Sequence, residues 1–328
     1  MKKLLSILAA LTLLLSVCAF ASAEGDTYEI GILQFVQHPA LDQATEAFCQ
    51  ALKDKLGDRV VFYEQNASGE VPNCATLAAQ LVSKPVDLIM ANATPPLQAC
   101  SNATSDIPIL GTSVTDYQTA LEIELTAEDA TGFNVSGTSD LGPIADQIAF
   151  AKKLNPELKT IGILYNSSEA NSKFQATMAI DAAKAEGIAY KEFTVTAATE
   201  LQSVVESMKG QVEVCWLPTD NTCASNMPII SSAAVSAGVM TVCSEAGMVD
   251  NGGLCTYGAV DYFTLGQQTG EMAAKIFSGE ATVAELEIGF QAAGDDAAVV
   301  LNEDVAANFD IPADILEKAT LVRTATAE

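Results

Sequence analysis

Along this 328-residue chain, short apolar runs alternate with longer stretches in which apolar residues recur every three or four positions. Tyr28 to Phe35, Val60 to Gln65, Leu88 to Asn92 and Ile107 to Gly111 form runs of the first kind and predict buried strands. Leu41 to Leu56, Asn73 to Val82 and Pro96 to Ala103 have helical spacing. The alternation is the βαβ rhythm of a parallel sheet. A second series repeats it: Gly142 to Leu154 helical, Thr160 to Tyr165 strand, Glu169 to Glu186 helical, Ala189 to Val195 strand, Glu200 to Lys209 helical, Val212 to Leu217 strand, Met227 to Ala237 helical, Val239 to Cys243 strand. Leu254 to Val260 then precedes a long helix, Tyr262 to Phe277, and the chain closes with a strand candidate, Leu286 to Phe290, and a short helix, Ala313 to Ala319.

The two series share a phrase. Ile30-Gly31-Ile32-Leu33 returns as Ile161-Gly162-Ile163-Leu164, offset by 131 residues (161 − 30), and each copy leads through a polar turn into a long helix. The match and the common order of elements predict two Rossmann-like α/β lobes, divided near Gly132 to Gly142. In each lobe, ligands collect at the carboxyl ends of the strands.

The chain opens with Lys2 and Lys3, an apolar run from Leu4 to Val17 and Ala21-Ser22-Ala23, the pattern of an export signal over residues 1–23. Leu15-Ser16-Val17-Cys18 leaves a second option open, a lipoprotein with Cys18 as its acylated anchor. Either places the product outside the cytoplasmic membrane, periplasmic or on the cell surface.

A net charge of −26 repels nucleic acid and anionic lipid, so neither is expected as a partner. Eight cysteines include no CxxC spacing, and the only histidine, His38, cannot complete a His-based centre, so no metal and no cofactor are expected. Cys243 with Cys255 and Cys74 with Cys100 remain candidate bridges, and Cys215 reads as a buried small hydrophobe.

Seven phrases in order across the mature chain resemble those of ABC-transporter substrate-binding proteins of the tryptophan/tyrosine type. They are Gln37-His38-Pro39-Ala40-Leu41-Asp42, Ala91-Asn92-Ala93-Thr94-Pro95, Gly111-Thr112-Ser113-Val114-Thr115-Asp116, Gly132-Phe133-Asn134-Val135-Ser136-Gly137-Thr138-Ser139-Asp140, Tyr165-Asn166-Ser167-Ser168-Glu169-Ala170-Asn171-Ser172, Pro218-Thr219-Asp220-Asn221 and Gly258-Ala259-Val260-Asp261-Tyr262. Tyr117 departs from the family, where Pro is common, as do the extra cysteines. The resemblance implies the two-lobed periplasmic-binding-protein fold of the first structural type, with a hinge where the chain crosses between lobes. It implies lobe 1 at residues 24–135 plus 257–283, and lobe 2 at 136–256 plus 284–328. It further implies capture of an amino acid, aromatic rather than other, by a monomer that hands it to an ABC permease.

The cleft chemistry agrees. The turns that follow the predicted strands carry Asp116, Glu169, Asp220, Glu245, Asp250 and Asp261 but no Lys or Arg. An anion would be opposed there, whereas a zwitterion can rest its carboxylate on backbone N–H groups and hydroxyls and its ammonium on an acid. The candidate ligand contacts are Phe35, Gln37, Asn92, Thr94, Thr112, Ser113, Tyr165, Asn166, Glu169, Asn171, Asp220, Asn221 and Asp261, with Tyr117 and Tyr262 as further rings. Each has a plain structural alternative: Asp220 and Glu169 as helix caps, Thr94 as a helix start, Phe35 and Trp216 as core, His38 as a surface residue. An exported sensor module and a binder of some other zwitterionic or neutral solute stay open. An enzyme is disfavoured, since neither GxSxG nor GxxxxGK occurs.

Overall fold

The computed structural model describes residues 27–291 and 298–324; the expected signal segment and Cys18 lie outside them. Within the first lobe the chain runs β1 (Tyr28–Gln34), α1 (Pro39–Leu56), β2 (Val60–Asn66), α2 (Val71–Val82), β3 (Leu88–Asn92), α3 (Thr94–Ala103), β4 (Ile109–Val114), α4 (Tyr117–Leu121) and β5 (Val135–Ser139). The second lobe continues with α5 (Ile144–Leu154), β6 (Thr160–Asn166), α6 (Ala170–Ala185), β7 (Ala189–Val195), α7 (Leu201–Ser207), β8 (Val214–Leu217), α8 (Asn221–Ser225), α9 (Met227–Ala237), β9 (Met240–Cys243), α10 (Ala246–Asp250) and β10 (Cys255–Tyr257). Then come α11 (Tyr262–Phe277), β11 (Gly289–Phe290), β12 (Val299–Asn302), α12 (Glu303–Ala306), α13 (Ala313–Lys318) and β13 (Thr320–Val322).

One sheet has the order β11-β5-β4-β3-β1-β2 and the other β13-β12-β10-β9-β8-β6-β7. The pairings are parallel except β10 with β12. β1 and β6 hold equivalent places, and the repeated glycine explains itself there. A Cβ on Gly31 would lie 3.2 Å from Leu81, and one on Gly162 would lie 3.3 Å from Phe193 and Val212. Each glycine therefore admits a close layer of side chains onto its strand.

Apolar residues fill both faces of each sheet. Leu33, Leu81, Ile89 and Leu97 pack on one face of the first sheet and Ile30, Phe48, Leu88 and Met90 on the other. Ile161, Ile163 and Trp216 cluster on one face of the second sheet, and Leu164, Cys215 and Leu217 on the opposite one.

Strand membership corrects the expected lobe boundaries. β5 and β11 belong to the first sheet and β10 to the second. The first two crossings thus fall just after Ser139 and between Tyr257 and Tyr262, rather than at 135/136 and 256/257, and the first lobe keeps the chain through Phe290, beyond the expected boundary at 283/284. β5 lacks an apolar strand pattern because Val135-Ser-Gly-Thr-Ser139 is fully buried yet mostly small and polar. Among the described residues all seven cysteines are free, including both candidate pairs, and six are buried.

Candidate functional site

Strand ends from both lobes meet across a cleft. On the first lobe, the β4–β5 pairing shifts register between Gly111 and Val114. Ser113, inside that irregularity, adopts a left-handed φ of 55°, a conformation that costs energy for a residue with a Cβ. The bulge turns its side chain out of the ladder and into the cleft. His38 and Leu41 come from the start of α1, Asp140 from just beyond β5, and Tyr262 from the first residue of α11. The second lobe supplies Asn171 at the start of α6, Thr219 and Asp220 after β8, Asn221 and Ala224 on α8, and Glu245 after β9.

Together these residues enclose a cavity of about 10 Å³, room for roughly one water molecule. Direct hydrogen bonds bridge the lobes around it. His38 Nε2 lies 3.5 Å from Asn221 Oδ1, Gln175 Nε2 donates to Thr115 Oγ1 at 3.2 Å, and the Thr115 and Thr219 hydroxyls are 3.4 Å apart. The lobes are closed on one another.

Two of the acids are consumed inside their own lobe. Asp220 accepts the Cys223 N–H on Oδ1 at 2.8 Å and the Asn166 N–H on Oδ2 at 2.6 Å, capping α8 and tying it to β6. Glu169 accepts the Asn221 N–H and amide at 3.2 and 2.7 Å, and the Thr222 N–H and hydroxyl at 3.1 and 2.9 Å. Burial and the adjacent Asp220 push the Glu169 carboxyl up to about 7, with the bonds from Asn221 and Thr222 opposing.

Glu245 is different. Burial raises it to about 8, with contact to Tyr262 opposing and the charges of Asp140 and Asp220 adding. Asp140 is raised by burial too, and the hydroxyls of Tyr262 and Thr115 offset part of the rise. His38 moves the other way, down to about 4, because its buried ring resists protonation more than the bond to Asn221 favours it. Four buried polar atoms lining the cavity lack any partner: His38 Nδ1, Ser113 Oγ, Asn171 Oδ1 and Glu245 Oε1. Two come from each lobe, and such atoms are costly unless something pairs with them.

Of the sequence-derived candidates, Ser113, Asn171, Asp220 and Asn221 line the cavity. Glu169 and Asn166 stand behind it, Asn166 Nδ2 donating to Thr222 Oγ1 at 2.8 Å. Asn92 staples α1 to β3 through Leu41 O at 2.8 Å and Thr45 Oγ1 at 2.9 Å, and Thr112 accepts from Thr138 at 3.3 Å. Thr94 is buried in the first turn of α3 and Phe35 in the core of lobe 1. Tyr165 packs into the core of lobe 2, its hydroxyl donating to Glu192 at 2.8 Å, and Tyr117 into that of lobe 1. Gln37 is exposed, and Asp261 is an exposed cap of α11. Tyr262, a candidate ring, also lines the cavity, whereas His38, Leu41, Asp140, Thr219, Ala224 and Glu245 lie outside the candidate contacts. Of these, Glu245 has a legible signal, as an acid just past a predicted strand. His38, for which a surface position is the plain alternative, is instead buried at 6% exposure.

A family model described as "ABC transporter substrate binding protein" matches residues 29–323. The tyrosine-binding protein of Clostridioides difficile (strain R20291) is 37% identical over 285 residues, covering 86% of this chain and 81% of its own length. A structure of an ABC domain in complex with L-Trp from Streptococcus pneumoniae is 33% identical, covers 90% of this chain and 99% of its own, and superposes with a TM-score of 0.83. A ligand-free, open structure of a substrate-binding protein with adhesive properties from Clostridium difficile is 35% identical and covers 91% of this chain and 100% of its own. Its TM-score is 0.67.

Proposed function

The chain belongs to the ABC transporter substrate-binding protein family, and from that premise we propose that it captures an aromatic amino acid by closing its two lobes. The observation that carries this is the set of unpartnered buried atoms from both lobes, gathered on a cavity lined by acids and by no Lys or Arg. A zwitterion satisfies such a set: its carboxylate takes the Ser113 hydroxyl, and its ammonium takes the acceptors on the acidic side. Leu41, Ala224 and the ring of Tyr262 supply apolar and aromatic surface for a side chain. The relatives named for tyrosine and solved with L-Trp support the aromatic class.

Closure is central to the mechanism. The chain superposes better on the L-Trp complex than on the open, ligand-free relative, in keeping with its interlobe bonds. A cavity of about 10 Å³ is far smaller than an amino acid, so the lobes must part for entry and then close around the ligand less tightly than they do here, with the crossings after β5 and after β10 acting as the hinge. Contacts to both lobes then favour the closed form, which an ABC permease at the outer face of the membrane recognises. The exported, monomeric state and the absence of catalysis belong to the same proposal.

Native mass spectrometry of the mature protein, followed by thermal-shift titration with the twenty amino acids, tests it. A retained aromatic amino acid, or a melting rise confined to aromatic ones, is the expected result. Indifference to every amino acid would overturn the assignment.

A further inference from the structure

Asp140 and Glu245 approach each other from opposite lobes, and the Tyr262 hydroxyl faces both. A phenol has one proton to give. Here it goes to Asp140 Oδ2 at 2.8 Å, while Asp140 Oδ1 takes the Thr115 hydroxyl at 2.9 Å. With that proton engaged by Asp140, the Tyr262 contact offsets only part of what burial costs an ionised Glu245. The remaining cavity acid, Asp220, has both oxygens committed to backbone N–H groups. Glu245 is 2% exposed and its Oε1 is bonded to nothing.

The groups that face Glu245 are thus Tyr262 from α11, Asp140 from the end of β5 and Asp220 from the turn before α8. Glu169 and His38 stand further round, and the buried His38 ring is neutral at pH 7. Among the described residues no Lys or Arg lines the cavity to balance an ionised Glu245 once the lobes meet, and Asp140 and Asp220 oppose it.

We propose that closure of this cleft requires one positive charge at Glu245, supplied either by a proton or by the primary ammonium group of the captured amino acid. The proposal rests on the amino-acid assignment above. Before capture, a protonated Glu245 donates its O–H into the closed interface. When an amino acid enters, that proton leaves to solvent and the carboxylate accepts an N–H of the ammonium, so one proton is released for each zwitterion bound. The elevated Glu245 pKa of about 8 puts the exchange within reach of neutral pH. Glu245 also becomes the residue that selects for a free α-amine, since an analogue without one leaves the carboxyl proton in place.

Small-angle scattering on extensively dialysed protein tests the proton without any ligand. Wild type is expected to be compact at about pH 6 and to expand at about pH 9, while Glu245→Gln stays compact at both. Adding L-Tyr or L-Trp is expected to restore compactness to wild type at the higher pH. Calorimetry in buffers of different ionisation enthalpy is expected to show proton release with wild type, and Glu245→Gln to bind either amino acid about a hundredfold more weakly. A wild-type radius of gyration that ignores pH overturns the proposal, and that measurement needs no variant. Wild-type affinity in Glu245→Gln also overturns it and leaves the amino-acid assignment standing. A wild type that responds to pH but to no amino acid overturns the ammonium half together with the proposed function.

Discussion

Gln175 Nε2 donates across the cleft to Thr115 Oγ1 at 3.2 Å, and the same nitrogen reaches Thr219 Oγ1 at 2.7 Å. Both Gln175 and Thr115 are nearly free of solvent exposure, and Thr115 passes the chain of bonds on to Asp140. Gln175 touches none of the cavity, yet its bond to lobe 1 exists only when the lobes are closed. Gln175→Ala is therefore expected to shift the unliganded protein toward the open form and to weaken amino-acid binding about fivefold, the worth of roughly one hydrogen bond. The loss should appear mainly as faster dissociation. An unchanged dissociation rate by stopped flow would show that the bond does not hold the lobes together.

Helix α11 lies directly on α1, and its glycines make that possible. A Cβ at Gly266 would collide with the Ala44 carbonyl oxygen, and one at Gly270 would sit 2.6 Å from the Ala51 Cβ. In an open helix Gly→Ala gains about 1 kcal/mol of propensity. Here the obstacle is backbone, which cannot swing aside, so Gly266→Ala is expected to destabilise by about 2 kcal/mol. Urea denaturation measures it, and a stabilised variant would mean that the helices part easily.

Element order was readable because apolar runs and helical spacing are local: β7 and α11 begin and end where the pattern predicts. β12 and β13 were not readable, since Val299–Asn302 and Thr320–Val322 are short and owe their strand form to partners distant in the chain. In the site, position was legible and direction was not. Tyr165 and Asn166 are neighbours at the end of β6, but strand alternation sends the first into the core and leaves the second at the turn. Glu169 and Asp220 looked as available as Glu245; only three-dimensional pairing shows that backbone N–H groups had already taken them.

Gln147, on α5, secures the wall behind Glu245. Its Oε1 accepts from Trp216 Nε1 at 3.0 Å and Ser244 Oγ at 3.1 Å, and its Nε2 donates to Tyr257 O at 3.2 Å. Gln147→Leu keeps the volume but strands a buried indole N–H and leaves the half-buried Tyr257 carbonyl without its donor, which is expected to cost about 2–4 kcal/mol. Because Trp216 is the chain's single tryptophan, its emission reports the change directly. Unaltered emission and stability would mean that water or a neighbour replaces the amide without loss.

His38 makes stability depend on pH in a defined direction. Its pKa falls from 6.5 in the unfolded chain to about 4 when buried, so between those values the unfolded state binds more protons. Its contribution is fully present above pH 6.5 and is lost as pH falls toward 4, at most about 3 kcal/mol. Glu169 and Glu245 act oppositely: with values raised from 4.5 to about 7 and about 8, they hold protons that the unfolded chain has shed, and stability declines as pH rises from 4.5 to those values. Comparing wild type with His38→Gln isolates the first contribution. The stability difference between the two, from urea unfolding, is expected to shift against wild type by about 2–3 kcal/mol between pH 7 and pH 4.5. A difference that stays constant with pH would place the His38 ring in water, and the lobes open, in the unliganded protein.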